Sequence, residues 1–255
     1  MSKFLVKDRP TLTVMIQART PERVSELIKR GLDGGADAFA IQVDQLERKY
    51  RTEECLKKLF GEMNGKPVYV TDYRGNMNEG MTDGELADEL LMLARCGASL
   101  VDVMGDFYCP SKDEIALNSE ADAKQRRLIE EIHSYGAEVL MSSHTYRYLT
   151  ADEVLKIAKT QSERGADIIK IVTAADTEEE LYNNFGTTAR LKNEINKPFL
   201  YLCGGKLCKK HRLMAPIITN DIYLCVIEQD EFSTPAQPLL KTAKQIVDLV
   251  YGGKI

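Results

Sequence analysis

Two residues in this 255-residue chain carry the types and spacing that carbonyl chemistry needs: Lys170 and His144. Lys170 lies in Ala166-Asp-Ile-Ile-Lys170-Ile-Val172, flanked by β-branched apolar residues. Such a run reads as a buried parallel strand. A lysine there places its ammonium where water is scarce, and burial disfavours the charged form. A desolvated lysine is a nucleophile for carbonyl carbon. The plainer alternatives are a lysine paired with a buried carboxylate, or one that snorkels to the strand end. His144 closes the preceding apolar run, Met141-Ser-Ser-His144. Neighbouring parallel strands lie about 4.8 Å apart, so both side chains can face one cavity. Imine formation and collapse need proton transfers, and histidine titrates near neutrality.

The elements that must position these two residues follow a repeated unit. Four segments begin with a glycine that ends a helix and continue into a strand: Gly35 to Asp44, Gly97 to Met104, Gly136 to His144 and Gly165 to Val172. Glycine takes the left-handed conformation past a helix end at low cost. Pro67 to Thr71 and Pro198 to Leu202 open two more strands, and Thr11 to Gln17 and Asp221 to Ile227 supply the first and last. Between them, Pro21–Asp33, Thr52–Met63, Asp83–Arg95, Ser119–Ser134, Ala151–Arg164, Thr177–Ile195 and Leu239–Val250 show helical apolar spacing. The link at Lys209–Ala215 reads as short. Thr150 and Thr177 open capping boxes, and Thr20 caps the helix that starts at Pro21. Eight strand–helix alternations predict an α/β fold, a (β/α)8 TIM barrel forming a single domain over residues 1–255. A doubly wound sheet would carry a glycine-rich turn after strand one, and Gln17-Ala-Arg-Thr-Pro21 has no glycine. Barrel active sites lie at the C-terminal strand ends. There the chain places Gln17, Gln42, Asp44, Thr71, Asp72, Arg74, Asp102 and Asp106 beside His144 and Lys170.

Bulk properties narrow the function classes. The net charge is −5 and no basic run exceeds Lys209-Lys210-His211-Arg212, which argues against a nucleic-acid partner. No apolar stretch reaches 18 residues, so no membrane span is expected. The N-terminus lacks the apolar core of an export signal, and six sparse cysteines read as reduced thiols in a cytoplasm. Cys203, Cys208 and His211 crowd together as C-x4-C-x2-H, but the spacing matches no familiar zinc pattern and a fourth ligand is missing. No metal or cofactor is expected. The expected partner is a small-molecule hydroxy-keto acid, with a homodimer left open.

Met141-Ser-Ser-His144-Thr-Tyr followed by Gly165-Ala-Asp-Ile-Ile-Lys170-Ile resembles the histidine and lysine segments of the type I 3-dehydroquinate dehydratase family. The resemblance extends to Gly35-Ala-Asp through Asp44, to Thr71-Asp-Tyr-Arg74, to Arg212 before Leu213, and to Ser233-Thr-Pro-Ala-Gln237. It implies a lyase of the shikimate pathway, a hydro-lyase that works through a Schiff base. Lys170 would form the imine and His144 would act as general acid and base. Arg212 would pair with the substrate carboxylate, and Ser233 and Gln237 would close a loop over the site. Arg74, Gln42 and Glu79 would face the ring hydroxyls. The chain departs from the family where Glu-x-Arg on strand two reads Ala40-Ile41-Gln42, and where the segment after Arg74 is lengthened. Met15 stands where a small polar residue is common, and Thr145 where an aspartate is usual. These departures imply a shifted substrate rather than a changed reaction. Two other readings are a class I aldolase that cleaves a C–C bond, and a retired barrel that binds a metabolite without turnover.

Overall fold

Side-chain caps set where the helices begin. Thr20, Thr52, Thr82, Asn118, Thr150 and Thr177 each accept a hydrogen bond from the backbone N–H three residues on. At Thr82, Thr150 and Thr177 a glutamate returns the bond, completing capping boxes. Gly165 ends its helix in the left-handed region at φ 111°, as the glycine pattern requires.

The computed structural model describes residues 2–252. Strands β1 (Thr11–Ile16), β2 (Ala38–Gln42), β3 (Val68–Thr71), β4 (Leu100–Met104), β5 (Glu138–His144), β6 (Ile168–Ala174), β7 (Phe199–Gly204) and β8 (Ile222–Cys225) alternate with helices. The helices are α1 (Pro21–Asp33), α2 (Glu53–Glu62), α3 (Asp83–Arg95), α4 (Ser119–Ser134), α5 (Ala151–Arg164), α6 (Glu178–Glu194), α7 (Cys208–Ile218) and α8 (Leu240–Tyr251). Helix α7 is longer than Lys209–Ala215. It runs past Pro216, which lies inside its last turn and forfeits one N–H donor there.

All eight strands form one parallel sheet in the order β7-β6-β5-β4-β3-β2-β1-β8. The two ends meet through side chains. Asn220 donates to the Tyr201 carbonyl (2.8 Å) and accepts from the Tyr201 N–H (3.1 Å), so its amide serves as a strand edge. Asp221 does the same for Phe199, accepting from its N–H at 2.9 Å and donating its own N–H to the carbonyl at 3.0 Å. The result is a nearly closed (β/α)8 barrel.

The barrel interior holds Ala38, Ala40, Tyr69, Leu100, Leu140, Ile168 and Leu200, all buried. Phe4 inserts from the N-terminal side, edge-on to Tyr69 with ring centroids 6.1 Å apart. Glu138, at the start of β5, fixes that plug by accepting from the Lys3 and Phe4 N–H groups. Polar side chains therefore collect at the opposite mouth. Ser142 stands opposite Lys170 in the β5–β6 register and His144 opposite Val172. Side chains alternate along a strand, so Ser142 and His144 share the inner face, with His144 nearer the mouth. Among the described residues no helix is long and apolar enough to cross a membrane.

Candidate active site

Lys170 is buried at 4 % exposure. It is not a bare amine in an apolar strand. Its Nζ lies 3.1 Å from Asp102 Oδ2 on β4, 2.5 Å from the Tyr73 hydroxyl and 3.2 Å from the Tyr69 hydroxyl. Of the alternatives open for a strand lysine, the structure selects pairing with a buried carboxylate. Asp102 also accepts from Tyr69 (2.5 Å), Tyr73 (2.7 Å) and Ser142 (2.5 Å). Burial by itself pushes this carboxyl up. The charges of Lys170 and His144, with the Ser142 and Tyr69 hydroxyls, outweigh burial and hold it below the usual carboxylate range. Burial first, and Asp102 second, push both phenols well above their ordinary range, so both are hydrogen-bond donors at neutral pH.

His144 is oriented by Glu114. The Glu114 carboxylate lies 2.9 Å from His144 Nδ1 and accepts the His144 backbone N–H at 2.7 Å. A carboxylate at Nδ1 sets the tautomer and frees Nε2 for proton transfer. The His144 ring meets Tyr73 edge to face at 5.2 Å, which places it beside the lysine cluster. Glu114 belongs to the loop between β4 and α4, and its own backbone sits in the left-handed region at φ 46°. The fold holds it there. Ser143 donates to the Glu114 carbonyl at 2.9 Å, and Arg164 and Gln125 bind the Gly105 and Ala116 carbonyls at the loop base. Gly105 has to be glycine, because a Cβ there would fall 2.4 Å from the Glu114 carbonyl oxygen.

A polar arc runs along the mouth from β1 to β3. Gln17 donates to Gln42 at 2.7 Å, and Gln42 donates to Asp44 at 3.0 Å. Asp44 also accepts from the Asn76 amide (2.5 Å) and the Tyr73 backbone N–H (3.2 Å), so it anchors the segment that carries Tyr73. Burial raises the Asp44 carboxyl despite these bonds. Within this arc β2 contributes the Gln42 carboxamide, and Ala40, on the same face two residues earlier, contributes only a methyl group. Ala40 is fully buried and stands in register with Tyr69, so a small residue faces a large ring.

The remaining site candidates separate. Arg74 is spoken for: it forms a two-pronged pair with Asp83 (2.7 and 2.8 Å) and binds Asp106 at 2.7 Å. Glu79 is exposed beyond a short turn and joins no contact with the cluster. Neither side chain is among the hydrogen-bond or ion-pair partners of Lys170. Arg212 lies in the second turn of α7, with its Nε donating to the Cys203 carbonyl at the end of β7 at 2.9 Å. It has no carboxylate partner among the described residues, and burial lowers its pKa. A half-buried guanidinium without a counter-charge suits an anion. Ser233 lines a crevice with Met15 and Gln17, which places it at the same rim. Its hydroxyl is engaged inside its own loop, by Gln229 and Asp230. Gln237 is buried, with its side-chain oxygen accepting from the Thr234 N–H. The loop is folded on itself in this state.

Sequence reasoning passed over Tyr69, Tyr73, Glu114 and Ser142, and left Asp102 as one polar strand end among several. Asp102 did carry a signal. It is a lone charge inside Leu100-Val-Asp-Val-Met104, the same pattern that drew notice to Lys170. Glu114 carries none, since its position depends on a loop path. The Cys203, Cys208 and His211 cluster has a structural account. His211 is fully buried between the Phe185 and Tyr201 rings, with centroids 5.2 and 5.3 Å away. No three potential metal-ligating side chains converge among the described residues.

Comparison with known proteins identifies the family. The 3-dehydroquinate dehydratase of Klebsiella pneumoniae subsp. pneumoniae is 24 % identical over 229 residues, covering 86 % of this chain and 84 % of that one. A 3-dehydroquinate dehydratase from Geobacillus kaustophilus superposes with a TM-score of 0.82 at 15 % identity, covering 98 % of this chain and 95 % of that one. The type I enzyme of Clostridium difficile, solved with covalent modified comenic acid, superposes with a TM-score of 0.80 at 17 % identity, covering 97 % and 95 %. These two likenesses show the fold. The sequence model of the type I 3-dehydroquinase family matches residues 12–254, nearly the whole chain, so this protein belongs to that family of hydro-lyases.

Proposed function

We propose that Lys170 forms an imine with the ring ketone of 3-dehydroquinate or a related cyclic hydroxy-keto acid, and that His144 moves the protons that eliminate water. The protonated imine draws electrons from the adjacent carbon. His144 Nε2 removes a proton there and leaves an enamine. The enamine expels the β-hydroxyl as His144 returns the proton to it, and water departs. A second water hydrolyses the imine and frees the enone and Lys170. Glu114 stabilises the His144 imidazolium between the two transfers. Arg212 takes the substrate carboxylate.

The observation that carries this reading is a lysine Nζ buried among Asp102, Tyr69 and Tyr73, with the His144–Glu114 pair packed on the same Tyr73 ring. The hydroxyl side of the site is rewritten. Ala40 and Gln42 replace the charged pair, and Arg74 is held by Asp83 and Asp106. Neutral amides discriminate ring hydroxyls less strongly than charged groups. The substrate range therefore extends toward keto acids whose hydroxyl pattern differs from that of 3-dehydroquinate.

The test is incubation with 3-dehydroquinate and borohydride, followed by peptide mass mapping, with enone absorbance as the turnover readout. A reduced adduct at Lys170 is expected. An adduct at another lysine, or enone production with none, overturns the assignment.

A further inference from the structure

We propose that Tyr73 is a catalytic residue, a phenol that relays protons between Lys170 Nζ, Asp102 and the carbinolamine oxygen. The proposal rests on the imine reading of Lys170 and adds a group that the family resemblance did not assign.

Three observations carry it. The Tyr73 oxygen is 2.5 Å from Nζ, nearer than the Asp102 carboxylate at 3.1 Å or Tyr69 at 3.2 Å. The bonds have a direction: Nζ donates to Tyr73, and Tyr73 donates to Asp102 at 2.7 Å. Position separates the two phenols. Tyr69 is wholly buried beneath the cluster, whereas Tyr73 is half-buried and shares a ring contact with His144 on the mouth side. Asp102 has no exposed side-chain surface, so a substrate oxygen arriving from the mouth meets Tyr73 before it meets Asp102.

The step balances without an added reagent. The Lys170 ammonium passes one proton to the Tyr73 oxygen while the Tyr73 proton moves to Asp102. The free amine then adds to the ketone carbon, and its second proton goes to the ketone oxygen, giving the neutral carbinolamine. Asp102 returns its proton through Tyr73 to the carbinolamine hydroxyl. The C–O bond breaks, water leaves and the protonated imine remains. Asp102 is again a carboxylate and Tyr73 again a phenol. Tyr73 is built for this rather than for nucleophilic work, because its segment is pinned by the Asp44 carboxylate through the Tyr73 N–H.

The experiment measures the rate of borohydride-trappable imine formation from 3-dehydroquinate in Tyr73→Phe, Tyr69→Phe and the intact protein. Tyr73→Phe is expected to slow imine formation by about a hundredfold, the low end of the range for acid–base catalysis. The adduct remains at Lys170 and reaches the same end point. Tyr69→Phe, which removes a hydroxyl from the same carboxylate, is expected to slow it by less than about tenfold, below that range. A loss under tenfold in Tyr73→Phe overturns the proposal, as does an equal loss in the two variants. Absence of any Lys170 adduct in the intact protein overturns the imine reading itself, which is a distinct result. If Tyr73→Phe does not fold, 3,5-difluorotyrosine at position 73 keeps the ring and shifts the phenol acidity. The imine-formation rate then changes by roughly threefold or more through Brønsted dependence, and an unchanged rate overturns the relay.

Discussion

Lys170 and Asp102 form an almost wholly buried ion pair: Nζ and Oδ2 lie 3.1 Å apart, with side-chain exposures of 5 % and 0 %. Such a pair contributes little over an apolar one, but breaking it is expensive, because the remaining charge stays buried. Asp102→Asn is expected to destabilise the fold by about 3–5 kcal/mol and to abolish turnover. Urea unfolding and an enone assay check both. A stability loss under about 1 kcal/mol would mean that water reaches the ammonium. Lys170→Met should also abolish turnover yet stay folded, since Asp102 keeps three hydroxyl donors.

The His144–Glu114 contact separates a group that moves protons from one that orients it. His144→Ala is expected to lower kcat by about two to four orders of magnitude. Glu114→Gln should lower it by roughly tenfold, because the amide oxygen still accepts the His144 N–H while the charge that favours the imidazolium is lost. A loss below tenfold in His144→Ala would assign the proton transfers elsewhere.

The rewritten hydroxyl side sets a quantitative expectation. Each hydrogen bond to a charged group contributes about 1.5–3 kcal/mol. Replacing two of them should lower kcat/KM for 3-dehydroquinate several hundredfold or more against a relative that keeps the charged pair. Gln42→Arg should recover part of that loss. Position 40 is no place to repeat the exercise, since Ala40 is fully buried beside Tyr69 and a glutamate there would overpack the barrel. Efficient turnover by the intact protein, with no gain in the variant, would show that Ala40 and Gln42 serve as well as the charges.

His211 predicts an acid limit to stability. Burial, with the neighbouring Arg212 charge, pushes its pKa from 6.5 down to about 4. The folded protein thus holds the neutral ring more tightly than the unfolded chain does. The stabilisation is complete above pH 6.5 and is lost as pH falls toward 4, in total about 3 kcal/mol. His211→Phe, which keeps the stack on Phe185 and Tyr201, should flatten the dependence of Tm on pH in that window. An unchanged slope would place the acid sensitivity elsewhere.

The sequence by itself determined the barrel and the two residues at its centre. Strand and helix periodicity, the threonine caps and the glycines past the helix ends are local properties, so the eight alternations were legible without the fold. Lys170 was legible because a charge inside an apolar strand has few explanations. His144 followed because adjacent strands bring their C-terminal ends together. Only the tertiary structure decided what Lys170 touches. Its carboxylate comes from β4, two strands away in the barrel, and its two phenols from β3 and the loop after it. The fate of the arginines was also tertiary. Nothing in spacing shows that Asp83 and Asp106 capture Arg74, or that Arg212 lacks a counter-charge. The reason is common to all of these. Backbone geometry fixes which face a strand residue occupies, but a loop's path is set by long-range hydrogen bonds such as those of Arg164 and Gln125. Those bonds carry Glu114 to His144 from 30 residues away.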